Sequence, residues 1–356
     1  MGMSMQKINK HIEIVRTTRA RYSSMGDASA HKIQAVLSKK YKQVNISVVN
    51  TAEDLEQLVQ RQPDLVFLGL KRLPVSNIEK PGLAADIWLP EYLDRKGINY
   101  TGSAKSAIML DFNKAEAKNA ATTAGLSTAP AFTALPSQYR EEGRLPLPLP
   151  LFVKPLDTGG GNGVGDDSVV RSFAEFEAKV ATIFDTFGSS SLVEQYLTGR
   201  EFSVTILEAA DESEPAIMPI EIITEKNSRG DRVLGSRVKH EDNEQVVAVN
   251  DTAIAATVNA LAINIYNTLG ARDFARIDIR MDDRGVAYFL EANFMPAPGS
   301  RYFTGACQIN EGLNYQDVIL AIADLGLGRV EPLVVFEPSL AENTLLLALT
   351  PTFEGV

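Results

Sequence analysis

The sequence contains very little cysteine and histidine. Cys307 is the only cysteine among the 356 residues, and His11, His31 and His240 are the only histidines. A single cysteine excludes an intramolecular disulfide and a cysteine-based zinc site. Three histidines are too few for a histidine-rich metal site. Any metal bound by this chain must therefore be held by oxygen atoms, which favours Mg²⁺ or Mn²⁺.

Long hydrophobic runs and an excess of positive charge are also missing. No stretch approaches the roughly 18 apolar residues of a transmembrane helix, and the first residues lack the apolar core of a secretory signal. Lys and Arg total 35 against 45 Asp and Glu, which gives a formal net charge of -10. An acidic protein is a poor general binder of nucleic acid or of anionic membranes. We therefore expect a cytoplasmic protein with no nucleic-acid or membrane partner.

The chain has the hydrophobic content of a globular protein, at 45%. Its length predicts two or three domains. The first part alternates strands at 11–18, 44–50 and 63–70 with helices at 29–41 and 51–62, which predicts a parallel sheet. Further helices are predicted at 87–97, 105–125, 172–184, 251–270 and 314–328. Further strands are predicted at 98–103, 151–155 and 216–223, and residues 191–208 are predicted as a strand, a turn and a second strand. We predict an N-terminal αβ domain at 1–110, a central lobe at 111–208, a C-terminal lobe at 209–329 and an unassigned tail at 330–356.

A predicted hairpin near residue 280 carries closely spaced charged side chains. The segments ARIDIRM and VAYFLEAN flank its loop. A loop centred between residues 283 and 284 pairs Asp278 with Phe289 and Arg276 with Glu291, so that Asn293 shares the same face. Asp278 and Glu291 are then diagonal neighbours, roughly 5–8 Å apart at Cβ, a gap that Mg²⁺ can bridge. The alternative is a solvated patch of ion pairs, although the apolar neighbours make idle charges costly there.

A glycine-rich loop follows the predicted strand at 151–155. Its glycines are Gly159, Gly160, Gly161, Gly163 and Gly165. Such a loop lets backbone N–H groups approach phosphate oxygens closely. It is not a P-loop, because Asp166 and Asp167 stand where Lys and Ser or Thr are required. Lys154, just before the loop, and Lys114 are candidate phosphate cations, with solvated lysines as the alternative.

Two further segments have a composition suited to nucleotide binding. Glu194 and Glu201 flank a predicted turn, and carboxylates suit ribose hydroxyls and adenine amino groups, although solvated surface residues are the alternative. Residues 224–245 are polar and predict a lid. This lid is basic within an acidic protein, with Lys226, Arg229, Arg232, Arg237 and Lys239.

These motifs, in this order, resemble the ATP-grasp superfamily and, within it, the D-alanine–D-alanine ligase family. The resemblance runs from about Ile98 to Ile322. It is carried by segments such as SAIMLDFNKAEAK, LFVKPLDTGGGNGVG, LVEQYLTGREFSV and ARIDIRMDDRGVAYFLEANFMPAPGS. The resemblance implies an α/β (α+β) ATP-grasp fold, with an N-terminal parallel αβ domain, a small central lobe and a C-terminal α+β domain.

The resemblance also implies roles for individual residues. Asp278, Glu291 and Asn293 would hold Mg²⁺ or Mn²⁺, while Arg276 and Lys239 would act as catalytic cations. The expected ATP-binding residues are Lys114, Lys154, Gly160, Gly161, Gly163, Glu194, Gln195, Tyr196, Leu197, Glu201 and Leu290. The expected substrate-binding residues are His240, Ser300 and Tyr302. Amino acids or small carboxylates and amines are the expected substrates, and a homodimer is left open.

The parts that would bind amino acids depart from the family pattern. The family has a glutamate near its first substrate, whereas residues 16–30 here contain none. Gly160-Gly161 stand in place of a serine pair, His240 in place of a tyrosine, Ala297 in place of a glycine and Tyr302 in place of a serine. We therefore predict a ligase that forms a dipeptide or amide from substrates other than two D-alanines. The alternatives are a genuine D-alanine–D-alanine ligase of cell-wall synthesis and a non-catalytic nucleotide-binding ATP-grasp protein.

Overall fold

The structure is a computed structural model that describes residues 6–19, 24–74, 86–211 and 213–329. The predicted tail at 330–356 and most of the loop predicted at 71–86 lie outside the described residues. Among the described helices, none combines the length and apolar character needed to cross a membrane.

The N-terminal part contains the predicted parallel sheet. Its elements are β1 (Ile8–Arg16), α1 (Asp27–Lys40), β2 (Tyr41–Val48), α2 (Ala52–Gln60) and β3 (Leu65–Leu68). The strand order is β2-β1-β3, and both pairs are parallel. Thr51 caps α2 by accepting a hydrogen bond from the backbone N–H of Asp54, as short hydroxyl side chains do at helix N-termini. The predicted strand at 98–103 is wrong as a regular strand, because only Tyr100 forms an isolated bridge, to Val66.

The region that follows differs from the predicted helices. It contains β4 (Arg72–Leu73), β5 (Ile87–Trp88), α3 (Leu89–Arg95), α4 (Lys105–Met109) and α5 (Lys114–Thr123). The helix predicted at 87–97 starts two residues later, with Pro90 in its first turn. A single helix at 105–125 is wrong, because Asn113 has a non-helical φ of -141° and caps a new helix at Lys114. This break places Lys114 at a helix N-terminus.

A four-stranded antiparallel sheet forms the central part of the molecule. Its strands are β6 (Ala131–Ala134), β7 (Leu151–Pro155), β8 (Val169–Val170) and β9 (Ser191–Gln195), in the order β6-β9-β7-β8. The helix α6 (Phe173–Phe187) packs on it through Phe176, Val180 and Ile183. Ser172 caps α6 by accepting a hydrogen bond from the backbone N–H of Glu175 at 3.3 Å.

A five-stranded antiparallel sheet forms the C-terminal part. Its strands are β10 (Glu201–Leu207), β11 (Ala216–Ile223), β12 (Gln245–Ala248), β13 (Phe274–Met281) and β14 (Ala287–Asn293), in the order β12-β11-β10-β13-β14. The helices here are α7 (Ser236–Glu241), α8 (Thr252–Thr268), α9 (Thr304–Glu311) and α10 (Tyr315–Leu327). Since β9 and β10 belong to different sheets, residues 196–200 cross from one sheet to the other. The domain boundaries at 110, 208 and 329 stay predictions.

Gly199 lies in this crossing and contacts the β13–β14 hairpin. Its backbone N–H donates to the carbonyl oxygen of Met281 at 3.0 Å. A Cβ atom at this position would lie 2.3 Å from the carbonyl oxygen of Asp282 and 2.6 Å from that of Met281. Only glycine lets the crossing segment approach the hairpin this closely.

We expect Gly199→Ala to lower the free energy of unfolding by about 1–3 kcal/mol, because the new methyl group meets backbone that has to move. Gly143→Ala is the matched control, since a Cβ there has no neighbour within 4 Å. Urea unfolding of both variants measures the difference. Equal stability of Gly199→Ala and the unsubstituted protein would contradict the close approach.

Candidate active site

The β13–β14 hairpin places two carboxylates directly opposite each other. Asp278 pairs with Glu291, and Arg276 pairs with Asn293. The predicted pairing of Asp278 with Phe289 is wrong, because two local features shift the register. The loop 283–285 has three residues and closes with Gly285 at a φ of 82°, and a β-bulge follows between Asp278 and Ile279.

Asp278 is held by hydrogen bonds, whereas Glu291 is surrounded by cations at longer distances. Asp278 accepts from the Ser203 hydroxyl at 2.7 Å and from Arg276 through both of its carboxylate oxygens, at 3.0 Å each. The Oε2 atom of Glu291 lies 4.0 Å from Lys114 Nζ and 3.9 Å from Lys154 Nζ. Burial alone would raise the pKa of Glu291, but Lys114 and Lys154, with smaller contributions from Lys239 and Arg276, lower it to about 2. Glu291 is therefore ionised at neutral pH.

Glu194 lies between two lysines in the interior. Its side chain is only 3% exposed, and its oxygens lie 2.5 Å from Lys118 Nζ and 2.8 Å from Lys154 Nζ. Burial raises the pKa of Glu194, but the two lysines outweigh it and hold the pKa below its usual range. The carboxylate expected to lie beside adenine is thus also the anchor for the phosphate-binding candidate Lys154.

Sequence reasoning missed Lys118. Its ammonium also donates to the Thr128 hydroxyl at 2.8 Å and to the Phe289 carbonyl at 3.2 Å. The available signal was its spacing, since Lys114 and Lys118 lie four residues apart and share one face of a helix. This spacing does not reveal that Lys118 pairs with Glu194 on β9, because that contact forms only in the tertiary structure.

One cleft between the four-stranded and five-stranded sheets brings most of the predicted residues together. Those that line it are Lys114, Lys154, Gly161, Glu194, Gln195, Tyr196, Leu197, Glu201, Lys239, Asp278, Leu290 and Glu291. Gly160 and His240 line an adjoining opening beside α7. The cleft also has apolar walls that were not predicted, including Phe152, Val164 and Leu234.

The other predicted residues lie outside the lining of this cleft. Asn293 accepts a hydrogen bond from the Met295 backbone at 3.2 Å, and Ser300 accepts one from the Phe303 backbone at 3.2 Å. Arg276 is bound to Asp278, and the ring of Tyr302 lies beside Arg276. Gly163 is packed against Pro155, where a Cβ would lie 2.5 Å from Pro155 Cγ.

The glycine loop packs against the predicted lid. A Cβ on Gly161 would lie 3.0 Å from the backbone nitrogen of Ser236, and a Cβ on Gly235 would lie 2.5 Å from the carbonyl oxygen of Val164. Residues 236–241 of the lid form α7, so the lid is partly helical. Close contact with the lid therefore explains part of the glycine content that the sequence analysis attributed to phosphate binding.

Arg280 is a second functional candidate that sequence reasoning missed. It stands opposite Glu201 in the β10–β13 register and donates to the Glu201 carboxylate at 3.1 Å. Its guanidinium also lies 5.6 Å from the ring centre of Tyr196. Burial raises the pKa of Glu201, and Arg280 opposes this rise. No sequence pattern indicates this pair, because β10 and β13 are far apart in the chain.

Solved structures share this fold. A D-alanine–D-alanine ligase from Bacillus anthracis complexed with ATP matches with a TM-score of 0.64 and 19% identity, covering 90% of this chain and 98% of that chain. A D-alanine–D-alanine ligase from Coxiella burnetii matches with a TM-score of 0.60 and 15% identity, covering 90% of this chain and 94% of that one. The predicted ATP-grasp fold is confirmed.

Sequence comparison gives the family. The sequence model of the protein family described as D-ala D-ala ligase C-terminus matches residues 122–324, which is more than half of the chain. A D-alanine–D-alanine ligase of Geotalea uraniireducens is 28% identical over 310 residues, covering 83% of this chain and 89% of that protein. A D-alanine–D-alanine ligase from Bordetella petrii is 30% identical over 234 residues, covering 65% of this chain and 68% of that protein. An uncharacterized protein, y4sG of Sinorhizobium fredii, is 24% identical over 245 residues, covering 68% and 70%. The chain belongs to the D-alanine–D-alanine ligase family.

We expect Lys118→Met to lower the free energy of unfolding by about 3–5 kcal/mol, because it leaves a buried carboxylate short of one cation. Lys105→Met is the matched control. Lys105 pairs with Glu91 at 2.9 Å, but both side chains are 32% exposed, so its loss should cost about 0–1 kcal/mol. Urea unfolding measures both. If both variants lose the same free energy of unfolding, the buried pair of Lys118 and Glu194 contributes no more to stability than the exposed pair of Lys105 and Glu91.

Proposed function

We propose that this protein is an ATP-dependent carboxylate–amine ligase that acts through an acyl phosphate. The observation that carries the proposal is the pairing of Asp278 with Glu291 in a cleft lined by Lys114, Lys154 and Lys239. Paired carboxylates beside several cations suit a metal-bound polyphosphate. Belonging to the D-alanine–D-alanine ligase family supports the reaction class.

In this proposal ATP lies between the two sheets. Lys114 and Lys154 contact its phosphates, and Glu201 contacts the ribose. The adenine lies against residues 195–197, where β9 leads into the crossing segment, and against the apolar walls formed by Phe152 and Leu290. Mixed apolar walls with a few placed polar groups are typical of nucleotide sites. The structure from Bacillus anthracis that shares this fold is a complex with ATP, which supports ATP as the ligand.

The predicted metal ligands all carry oxygen donors, although Asp278 already accepts hydrogen bonds from Arg276 and Asn293 lies outside the lining of the cleft. Asp278, Glu291 and Asn293 would hold Mg²⁺ or Mn²⁺, as oxygen donors do. Glu291 is ionised and forms no hydrogen bond among the described residues, so its carboxylate is available as a ligand. When bound, the metal supplies positive charge that neutralises the phosphate oxygens.

The side chains of the chain position the reactants and stabilise negative charge. A carboxylate oxygen of the first substrate attacks the γ-phosphorus of ATP, the bond to the β-phosphate oxygen breaks, and ADP leaves. The amine of the second substrate then attacks the acyl carbon, loses a proton and displaces phosphate. Arg276 and Lys239 stabilise the negative charge that develops on the transferred group.

We further propose that the substrates are not two D-alanines. A buried ammonium needs a carboxylate partner, and Asp27, the one acid within residues 16–30, is bound to Arg16 at 2.6 Å. Tyr302, which replaces a small hydroxyl residue of the family, donates its own hydroxyl to Glu244 at 2.6 Å. The acceptor region therefore differs from the family pattern in both size and polarity.

A genuine D-alanine–D-alanine ligase is the second candidate. The relatives from Geotalea uraniireducens and Bordetella petrii, which are both D-alanine–D-alanine ligases, favour it. A non-catalytic nucleotide-binding protein is less well supported, because a binding module has no need for both Asp278 and Glu291.

We expect Glu291→Gln to lower ATP-dependent ADP release by at least about 10³-fold while the protein stays folded. The change removes a metal-binding charge but keeps the shape of the side chain. Glu53→Gln, at an exposed position on α2, is the matched control and should release ADP at the normal rate. Coupled ADP detection and circular dichroism give the two readouts. Near-normal turnover of Glu291→Gln at saturating Mg²⁺ would remove Glu291 from the metal site.

We expect D-alanine to be a poor substrate relative to other L- and D-amino acids. Lost polar contacts to a substrate lower kcat/KM by about 10²–10⁵-fold. Competition of D-alanine against a panel of amino acids and amines with ATP, with products identified by mass spectrometry, measures this preference. If D-alanyl-D-alanine forms fastest, the second candidate is the function.

A further inference from the structure

Tyr302 is fixed in the turn between β14 and α9. Its carbonyl oxygen accepts a hydrogen bond from the Thr205 hydroxyl on β10 at 3.1 Å. The next residue, Phe303, is fully buried. The backbone of Tyr302 is therefore tied to the five-stranded sheet that carries Asp278 and Glu291.

The hydroxyl of Tyr302 is tied to the end of the lid. It donates to Glu244 at 2.6 Å, and the Glu244 side chain is 1% exposed. Burial and the neighbouring Glu244 raise the pKa of Tyr302 above its usual range, so the phenol stays protonated and keeps donating. Since Glu244 lies between α7 and β12, the ring is anchored both at the sheet and at the lid.

Two cations lie against the ring of Tyr302. The guanidinium carbon of Arg276 is 5.7 Å from the ring centre, and the ammonium of Lys239 is 5.8 Å from it. Both distances are within the range of cation–π attraction. Arg276 is also held by two hydrogen bonds to Asp278, so it does not depend on the ring.

Among the described residues Lys239 has no such hydrogen bonds, and the carboxylates of Glu201 and Glu291 attract it only at longer range. Within the described ranges, no carboxylate lies within 4.0 Å of its ammonium, and its side chain forms no hydrogen bond. It also stands on α7 in the lid, where a long side chain is otherwise free to extend into solvent. The electron-rich face of Tyr302 therefore adds a directional contact to the longer-range attraction of Glu201 and Glu291, and this contact places the ammonium beside the ring.

We propose that Tyr302 is a positioning residue for Lys239. Its ring holds the ammonium where the γ-phosphate of ATP arrives, so that the lid cation is in place before the nucleotide binds. This inference rests on the proposed function, because it requires ATP in the cleft with Lys239 at its terminal phosphate. It gives Tyr302 a role that acts through Lys239 rather than through contact with the amine substrate.

The test compares the affinities for MgATP and MgADP, which differ by the terminal phosphate. Isothermal calorimetry is run on the unsubstituted chain, Tyr302→Phe, Tyr302→Leu, Lys239→Met and the double variant Lys239→Met/Tyr302→Leu. Both tyrosine variants lose the hydrogen bond to Glu244, but only the leucine variant loses the ring. The phenylalanine variant is therefore the matched control for damage to the lid, and Tyr302→Met replaces the leucine variant if that variant does not fold.

We expect the unsubstituted chain to prefer MgATP over MgADP. Tyr302→Leu and Lys239→Met should each reduce this preference by about 5–10-fold, while Tyr302→Phe should keep it within about twofold. The double variant should show no loss beyond that of Lys239→Met, since the ring acts through the ammonium.

Three results would overturn the assignment of Tyr302 alone: an unchanged preference in Tyr302→Leu, equal losses in the phenylalanine and leucine variants, or additive losses in the double variant. A chain that binds neither nucleotide would overturn the proposed function and this inference together. The two kinds of failure are distinguished by whether the unsubstituted chain binds MgATP.

Discussion

The cleft depends on the balance of charge between buried lysines and buried carboxylates. Lys118, Glu194 and Lys154 form a continuous chain of ion pairs, and Glu291 lies near the end of that chain, within 4.0 Å of two lysine ammonium groups. Removing a charge from water is costly, so each of these groups is stable only while its partners remain. The same arrangement places Lys114 and Lys154 in the lining of the cleft, where their ammonium groups suit a polyphosphate.

Several elements of the fold converge to build this balance. The helix break at Asn113 starts α5 at Lys114, and the β-bulge in the β13–β14 hairpin brings Asp278 directly opposite Glu291. The crossing at Gly199 passes from the central sheet to the C-terminal sheet, so that side chains from both line one cleft. The glycine loop and α7 close one side of the cleft, because their backbones are in direct contact. The site therefore forms only in the tertiary structure, where a helix break, a β-bulge and glycine-dependent contacts bring its residues together.

The local signals could be predicted from the sequence, and the long-range pairings could not. The parallel N-terminal sheet and the family followed from periodicity and motif order. The predicted hairpin register was wrong, since it depended on a three-residue loop and a bulge that no alternation of side chains reveals. Lys118 and Arg280 were missed because their partners, Glu194 and Glu201, come from strands distant in the chain. The assigned roles of individual residues, and the domain boundaries, remain predictions.

A crystal structure of the protein with Mg²⁺ and a non-hydrolysable ATP analogue tests the central claim most directly. We expect the phosphates to lie in the cleft, the Lys154 ammonium to move from Glu194 toward them while Lys118 stays on Glu194, and Glu291 to bind the metal. A nucleotide bound outside the cleft, or one bound inside it with Glu291 making no contact to the metal, would contradict the account.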